Sequence, residues 1–212
     1  MIPDPLGDGV RWLRGGGLLA YPTETVWGLG ADASSQTAIT RLLRWKGRGD
    51  AEPLAILVES ANDLPRLGCE FGREAKRLAS QFWPGPLTLV LRCRERYAPG
   101  VARTDGALGV RCSSHPLAAA LARRLRAERV GPITATSLNR SGAPAARSRA
   151  AAEALCGPEP DQPRLLEVKG AEAGGDAAST VVDLTAARPL VLRWGALAAD
   201  VLEPVLAELA GA

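Results

Sequence analysis

The sequence has few of the residues that build metal centres or disulfide frameworks. It holds a single histidine, His115, and four dispersed cysteines without any C-x-x-C pair, namely Cys69, Cys93, Cys112 and Cys156. Closely spaced Cys and His ligands are typical of zinc sites, and dense cysteines are typical of secreted disulfide scaffolds. The sequence therefore predicts reduced structural thiols, no metal site and a structural role for His115.

Long apolar runs are also missing. No stretch approaches the roughly 20 apolar residues of a membrane span. The segment Met1–Pro5 shows no basic region followed by an apolar run, which a signal peptide would require. We therefore expect a cytoplasmic protein without a membrane contact.

Several signatures of catalysis and of nucleic-acid binding are absent. There is no G-x-x-x-x-G-K-[ST] phosphate loop and no convincing nucleophile–base pair. P-loop phosphoryl transfer and acyl-enzyme hydrolysis are therefore disfavoured. Aromatic residues make up only 4% of the chain, which is few for a protein that stacks single-stranded bases on its side chains.

The overall composition is that of an ordinary globular protein. Hydrophobic residues make up 46% and charged residues 23% of the 212 residues, enough for one full-sized core. We predict a single domain over residues 1–212, with its core at about residues 10–200. The formal net charge of +3 permits an anionic ligand, or a contact with tRNA or double-stranded RNA, without requiring either.

Apolar runs and turn signals predict alternating strands and helices. The predicted strands cover residues 17–21, 54–58, 87–91, 109–112, 131–136, 165–168, 180–184 and 190–193. The predicted helices run from Ser34 or Ser35 to Leu43 or Trp45, from Glu74 to Phe82, from Pro116 with Ser114 as cap, and from about Ala196. The all-apolar run 54–58 is expected to be a central strand. This order predicts a mixed sheet covered by helices.

Two short segments combine cations with small polar side chains. Lys46 and Arg48 follow a predicted helix, and Ser137 and Asn139 follow a predicted strand. Arg and Lys donate charge-assisted hydrogen bonds to phosphates, while hydroxyl and amide groups fix orientation, so the four could hold a nucleotide. Cations are also favourable at any helix C-terminus, and Ser and Asn are common in turns. The residues alone leave both interpretations open.

A second group of polar residues lies near other predicted strand ends. Thr23 and Thr25 form a polar turn after a strand, where α/β proteins often bind ligands, although turn hydroxyls also bond their own backbone. Arg111 falls within an apolar strand, and a buried guanidinium requires an anionic partner. A structural carboxylate and a substrate carboxylate are equally good candidates. The glycine-rich stretch 170–176 is expected to be a flexible loop that could close over a ligand.

Taken together, these motifs resemble the YrdC/TsaC family of threonylcarbamoyl-AMP synthases. The similar segments are YPTETVWGLG at 21–30, KGR at 46–48, PL at 53–54, FWPGPLT at 82–88, VR at 110–111 with HP at 115–116, TATSLNRSG at 134–142, STVVDL at 179–184 and RWG at 193–195. They occur in the family's order.

The resemblance implies an α+β, three-layer fold: a twisted mixed β-sheet with helices on both faces and a large concave basic cavity. It implies that L-threonine, bicarbonate and ATP give threonylcarbamoyl-AMP and pyrophosphate, for the threonylcarbamoyladenosine modification of tRNA. A partner transferase would carry out the next step. ATP would be a substrate that carries Mg²⁺, without a protein-bound prosthetic group, and the chain length matches the short, single-domain form.

The resemblance also assigns residues by position. Those matching the catalytic and ATP-binding set are Lys46, Arg48, Ser137 and Asn139, with Arg193 as a further ATP contact. Those matching the threonine site are Thr23, Thr25, Arg111 and Ser179.

The chain departs from the family pattern beside the phosphate-binding cations. Gly49 and Glu52 stand where Pro and a Lys or Asn are usual, and Arg147 stands where Ser or Thr is common. A carboxylate repels phosphates, so we hypothesise that Arg147 restores the charge that Glu52 removes and also binds ATP.

The sequence leaves two alternative functions open. An RNA-binding module would use the same basic cavity without making an adenylate, and a diverged paralogue would lack synthase activity. Carbamoyl transfer to another acceptor, as in hydrogenase maturation proteins, is disfavoured because those domains sit in longer chains with zinc-finger-like cysteines.

Overall fold

The structure is a computed structural model that describes residues 3–47 and 54–210. The helices in these residues are α1 (Pro5–Arg14), α2 (Gln36–Lys46), α3 (Arg73–Phe82), α4 (Pro116–Ala127), α5 (Arg149–Leu155) and α6 (Ala199–Ala210). The strands are β1 (Leu19–Tyr21), β2 (Gly28–Gly30), β3 (Ala55–Val58), β4 (Leu87–Arg92), β5 (Ala107–Cys112), β6 (Thr136–Ser137), β7 (Arg164–Leu165), β8 (Thr180–Asp183) and β9 (Leu190–Arg193). None of these helices is long and apolar enough to cross a membrane.

The strands form two mixed sheets rather than one. The four-stranded sheet has the order β6-β2-β1-β7, and the five-stranded sheet has the order β3-β5-β4-β8-β9. The pairs β1–β7, β3–β5 and β4–β8 are parallel, and the other neighbours are antiparallel. The predicted mixed sheet structure is confirmed, and its division into two sheets is a feature that local patterns do not reveal.

Strand β3 lies at the edge of its sheet, so its prediction as a central strand is wrong. Its apolar sequence is still explained, because Ile56 and Val58 pack in one core and Leu57 in the other. The chain segment before β6 also covers the open edge of its backbone. The Leu57 N–H donates to the Ile133 carbonyl at 2.9 Å, and the Ala135 N–H donates to the Ala55 carbonyl at 2.7 Å. Of the predicted strand 131–136, Thr136 lies in β6, whereas Ile133 and Thr134 form isolated bridges to Asp32 and Ile56.

Alternate residues around β1 face two different cores. Leu18 and Ala20 belong to one core with residues of α2, and Leu19 and Tyr21 belong to the other with residues of α1 and α4. Side chains alternate between the faces of a strand, so each face of this sheet is covered by helices. The predicted placement of helices on both faces is confirmed.

The ends of α2 follow the local sequence, whereas the start of α4 does not match its predicted cap. Ser35 Oγ accepts the Ala38 N–H at 3.2 Å, and Gly47 ends the helix with a positive φ of 65°. At α4 the N-cap is His115, not Ser114, and its Nδ1 accepts the Leu117 N–H at 3.2 Å. Pro116 occupies the first helical position, which makes the residue before it the cap.

Helices α1 and α5 have no counterpart among the predicted helices, and α6 begins at Ala199 rather than about Ala196. α1 contains Gly7 and Gly9, and glycine is a weak helix former. Asp4 compensates by accepting the Gly7 N–H at 3.0 Å. The four cysteines are free thiols.

Candidate active site

A cavity of about 390 Å³ is lined by residues from both sheets. It gathers most of the site residues expected from the sequence. Those on its wall are Thr23, Thr25, Lys46, Arg111, Ser137, Asn139, Ser179 and Arg193. These residues span more than 170 positions of the chain, so only the folded structure brings them together.

Two predicted site residues are not on the described wall. Arg48 lies outside the described residues, as do Gly49 and Glu52. Arg147 is exposed and does not line the cavity. Its contact with ATP therefore stays a prediction that this geometry does not favour.

Lys46 is buried at the last position of α2 and holds the segment that carries Ser137 and Asn139. Its side-chain Nζ donates to the Ser137 carbonyl at 2.7 Å, the Asn139 carbonyl at 3.1 Å and Asn139 Oδ1 at 3.0 Å. The residue is only 3% exposed. The interpretation of Lys46 as a solvated charge at a helix C-terminus is therefore wrong.

The same segment is fastened by further contacts. Ser137 Oγ donates to Asn139 Oδ1 at 2.6 Å, and Asn139 Nδ2 donates to the Ala143 carbonyl at 2.7 Å. The Ser141 N–H donates to the Lys46 carbonyl at 2.8 Å. These bonds place a cation, a hydroxyl and an amide side by side on the cavity wall, which suits the binding of an anion.

Thr23 and Thr25 are hydrogen-bonded to each other within their turn. Thr23 Oγ1 donates to the Val26 carbonyl at 2.6 Å and lies 2.8 Å from Thr25 Oγ1. Because the Thr23 hydroxyl proton is already used, Thr25 is the donor in this pair. The Arg111 guanidinium donates to Thr25 Oγ1 at 3.5 Å. The turn thus has the local bonding expected of a structural turn while its side chains also line the cavity.

The anionic partner of buried Arg111 is Glu24, a partly buried residue that the sequence patterns do not single out. Arg111 Nη2 lies 2.5 Å from Glu24 Oε1, with the two side chains 7% and 16% exposed. Glu24 Oε2 accepts a second bond from Ser113 Oγ. Among the described residues, Arg111 Nε is buried without a hydrogen-bond partner. One feature of the sequence could have predicted this pair: Glu24 is the lone carboxylate in the turn, between the two threonines.

Ser179 and Arg193 connect the two groups of predicted residues. Arg193 Nε and Nη2 donate to the Ser179 carbonyl at 3.1 and 2.8 Å, and Nη2 lies 3.3 Å from Ser179 Oγ. Ser179 Oγ is also 2.8 Å from Thr88 Oγ1. Arg193, which was predicted to bind ATP, and Ser179, which was predicted to bind threonine, are therefore neighbours.

Arg103 is a further cation on the wall that sequence reasoning missed. It lies 2.6 Å from Asp183 Oδ2 and 2.6 Å from Asp105 Oδ2. The hydrogen bonds from Arg103 and from the Ala107 N–H lower the pKa of Asp105 to about 2. Burial acts to raise the pKa of Asp183, but hydrogen bonds from Thr185 and Arg103 leave it below its ordinary value.

Tyr21 on the same wall is an uncharged donor. Burial raises the pKa of its hydroxyl above the ordinary value, and the hydroxyl donates to the Thr134 carbonyl at 3.1 Å.

In the part of the chain that the structure describes, no cluster of three or more His, Cys, Asp or Glu residues could hold a metal ion.

Comparisons with known proteins agree on one family. The family model Sua5_yciO_yrdC, described as "Telomere recombination", matches residues 11–195. The threonylcarbamoyl-AMP synthase of Pyrococcus abyssi (strain GE5 / Orsay) is 38% identical over 201 residues, which cover 93% of this chain and 56% of that protein. The threonylcarbamoyl-AMP synthase of Chromohalobacter salexigens is 38% identical over 188 residues, which cover 88% of this chain and 96% of that protein.

A solved structure shows the same fold. The crystal structure of P. abyssi Sua5 complexed with L-threonine matches with a TM-score of 0.83 and 35% sequence identity, covering 97% of this chain and 58% of that chain. The present chain therefore spans less than two thirds of the P. abyssi relative, and nearly the whole length of the C. salexigens one.

Proposed function

The chain belongs to the Sua5/YciO/YrdC family, and from this membership we propose that it is a threonylcarbamoyl-AMP synthase. It would join L-threonine, bicarbonate and ATP into threonylcarbamoyl-AMP and release pyrophosphate. One observation supports this most directly. A single cavity is lined by one group formed by Lys46, Ser137 and Asn139 and by a second group that includes Thr25 and Arg111, so it offers partners both for phosphates and for an amino acid.

Arg111 is the proposed partner of the threonine carboxylate. Its Nε–H group is buried and unsatisfied among the described residues, and leaving such a group without an acceptor costs free energy. A bound carboxylate would supply that acceptor while Glu24 keeps its contact with Nη2. The hydroxyls of Thr23, Thr25 and Ser179 would orient the rest of the amino acid. The P. abyssi relative has been crystallised with L-threonine, which agrees with this use of the cavity.

Lys46, Arg48, Ser137, Asn139 and Arg193 are the proposed ATP-binding set. The threonine amine adds to bicarbonate and water leaves, which gives a carbamate. A carbamate oxygen then attacks the α-phosphorus, and the bond to the β-phosphate oxygen breaks to release pyrophosphate. The chain's part in this reaction is to position both substrates and to neutralise the charge of the leaving group. Mg²⁺ would accompany the phosphates as part of the substrate.

Several further points belong to the same proposal. The chain would act in the cytoplasm as a single domain over residues 1–212, with no prosthetic group. It would pass its product to a partner transferase that modifies tRNA, and it could contact tRNA or double-stranded RNA. We also retain the Arg147 hypothesis in testable form: Arg147→Ser should weaken ATP binding, and an unchanged ATP affinity would remove Arg147 from the site.

The deciding experiment is pyrophosphate release from ATP by the purified protein. Omission of threonine or of bicarbonate should each abolish release, and mass spectrometry should detect threonylcarbamoyl-AMP. Lys46→Ala should abolish release, whereas Lys76→Ala, on the exposed face of α3, should not. Binding of ATP and threonine without release would indicate a diverged paralogue, and RNA binding without ATP consumption would indicate an RNA-binding module.

A further inference from the structure

The stretch 170–176, expected to be a flexible loop, is fastened to the turn that carries Thr23 and Thr25. We call residues 171–175 the strap. The Gly174 N–H donates to the Thr23 carbonyl at 2.9 Å. On the other side of the strap, Glu172 Oε2 accepts the Arg149 N–H at the start of α5 at 2.9 Å. The strap is therefore held at both sides in this structure.

Two glycines let the strap approach the turn closely. A Cβ atom on Gly174 would lie 3.1 Å from Glu24 Cα, and one on Gly175 would lie 3.0 Å from the Glu24 carbonyl oxygen. Both neighbours are backbone atoms, which cannot move aside as a flexible side chain would. The strap thus packs directly against the backbone of Glu24 and supports it from outside the cavity.

His115 links the strap to the residues around Arg111. Its Nε2 lies 3.0 Å from the Glu172 carbonyl oxygen. Its backbone N–H donates to Ser113 Oγ at 3.2 Å, and Ser113 Oγ donates to Glu24 Oε2. Because Glu24 follows Thr23 in the chain, these contacts close a ring: turn, strap, His115, Ser113 and back to the turn.

The hydrogen-bond partners of His115 indicate which ring nitrogen carries a proton. The Leu117 N–H donates to Nδ1 at 3.2 Å, so Nδ1 carries no proton. The Glu172 carbonyl can only accept, so Nε2 must carry one. The neutral Nε2–H tautomer is the form of imidazole that satisfies both contacts, and it lets one side chain cap α4 and hold the strap.

We propose that His115 is a positioning residue for the threonine site: it closes this ring and so holds the 23–25 turn and Glu24, the partner of Arg111, in place. The proposal rests on the proposed function, since it concerns the binding of threonine. His115 lies outside the cavity wall and takes no part in the chemical step.

Two substitutions separate the two roles of His115. In His115→Asn the side-chain amide replaces Nδ1 as an N-cap acceptor but is too short to reach Glu172. In His115→Gln the amide nitrogen reaches about as far as Nε2, but the N-cap acceptor is lost. We expect His115→Asn to raise the KM for threonine roughly 3- to 10-fold, the loss of one orienting hydrogen bond. The KM for ATP, kcat and the melting temperature should stay close to those of the unsubstituted protein.

His115→Gln should show the opposite pattern, with a lower melting temperature and a KM for threonine within about twofold of the original value. An unchanged KM for threonine in His115→Asn, alongside normal threonine-dependent pyrophosphate release by the unsubstituted protein, would overturn this proposal alone. A parallel rise in both KM values with a lower melting temperature would also overturn it, because it would indicate a merely structural role. No threonine-dependent release by the unsubstituted protein would overturn the proposed function itself, and this proposal with it.

A spectroscopic measurement checks the ring without relying on activity. His115 is the sole histidine, so its imidazole nitrogens give an unambiguous ¹⁵N NMR signal, and we expect the Nε2–H tautomer. The amide of Gly174 should exchange its hydrogen faster in His115→Asn than in His115→Gln. A signal from the Nδ1–H tautomer, or equal exchange in the two variants, would contradict the ring.

Discussion

Two groups of residues on the cavity wall, which we call the lysine end and the arginine end, are held together in different ways. At the lysine end, around Lys46, the cation bonds to two main-chain carbonyls and one side-chain amide of the segment 137–139. At the arginine end, around Arg111, a buried cation and a partly buried carboxylate face each other, and a serine and a threonine complete the contacts.

This difference bears on which residues each end can exchange. Main-chain carbonyls are present whatever the side chain, so the lysine end keeps much of its bonding after a substitution at Ser137. The described partners of Arg111 are side chains, so the arginine end depends on residue identity at each position. Removing one member of this largely buried charge pair also leaves the other without compensation. We therefore expect the arginine end to be the more sensitive of the two.

The largest effect is expected from Arg111→Ala. The substitution leaves the Glu24 carboxylate, whose side chain is 16% exposed, without its cation, so the free energy of unfolding should fall by about 3 kcal/mol, the lower end of the range for buried pairs. Urea denaturation measures the change. The double variant Glu24→Gln, Arg111→Met removes both charges and should recover part of the loss. A cost below about 1 kcal/mol, the value typical of exposed pairs, would remove the contrast between the two ends.

A smaller effect is expected from Gly175→Ala, which tests the packing behind the arginine end. The new Cβ would lie 3.0 Å from the Glu24 carbonyl oxygen and 3.2 Å from that of Thr25. Relieving this overlap should cost about 1–3 kcal/mol and raise the KM for threonine more than that for ATP. The matched control is Gly15→Ala, whose Cβ would find its nearest neighbour at 3.4 Å. Equal stability and equal KM values in the two variants would mean that the strap does not support the turn.

A pair of serine substitutions compares the two ends directly. Ser113→Ala removes a donor to the partly buried carboxylate of Glu24 and should cost about 1–3 kcal/mol. Ser137→Ala removes a donor to Asn139 but keeps the carbonyl that accepts from Lys46, so about 0.5–1.5 kcal/mol is expected. Thermal or urea unfolding of both variants gives the ranking. A larger cost for Ser137→Ala would reverse the comparison.

The smallest effect is expected from Asp105→Asn, which breaks the ion pair between Asp105 and Arg103. Arg103 is more exposed than Arg111, with a side chain 30% exposed. The pKa of Asp105 in the folded protein is lowered to about 2, below the unfolded value of about 3.9. Its stabilising contribution is therefore present above the unfolded value and is lost as the pH falls through about 2. Asp105→Asn should lose this part of the acid dependence of the free energy of unfolding. An identical acid profile in the variant would show that the Asp105–Arg103 pair makes no such contribution.

The parts of the fold that the sequence predicted correctly depend on local rules. The caps of α2 at Ser35 and Gly47 and the apolar strands β4, β5 and β8 can be read from short stretches of residues. The lysine end is similar, because Ser137 and Asn139 stand two positions apart and share one segment. The sequence indicated that Lys46 and this segment could bind one ligand, but their direct contact, across about 90 positions of the chain, is visible only in the structure.

The arginine end shows what local patterns miss. The sequence indicated that Arg111 needs an anionic partner but did not identify Glu24, 87 positions away. The same reason accounts for the edge position of β3, the contacts of Arg103 and the exposed position of Arg147. Periodicity tells which face of an element is apolar, but it does not tell which distant element covers that face.

The sequence by itself determined where most elements begin and end, because propensities, caps and turns act within a few residues. It also determined the chemical groups available to bind phosphates and an amino acid. Tertiary structure alone decided that the strands divide between two sheets, that Glu24 pairs with Arg111 and that the strap is fastened through His115. Such pairings arise when distant segments pack and must satisfy each other's buried charges and hydrogen-bonding groups, which no single segment encodes.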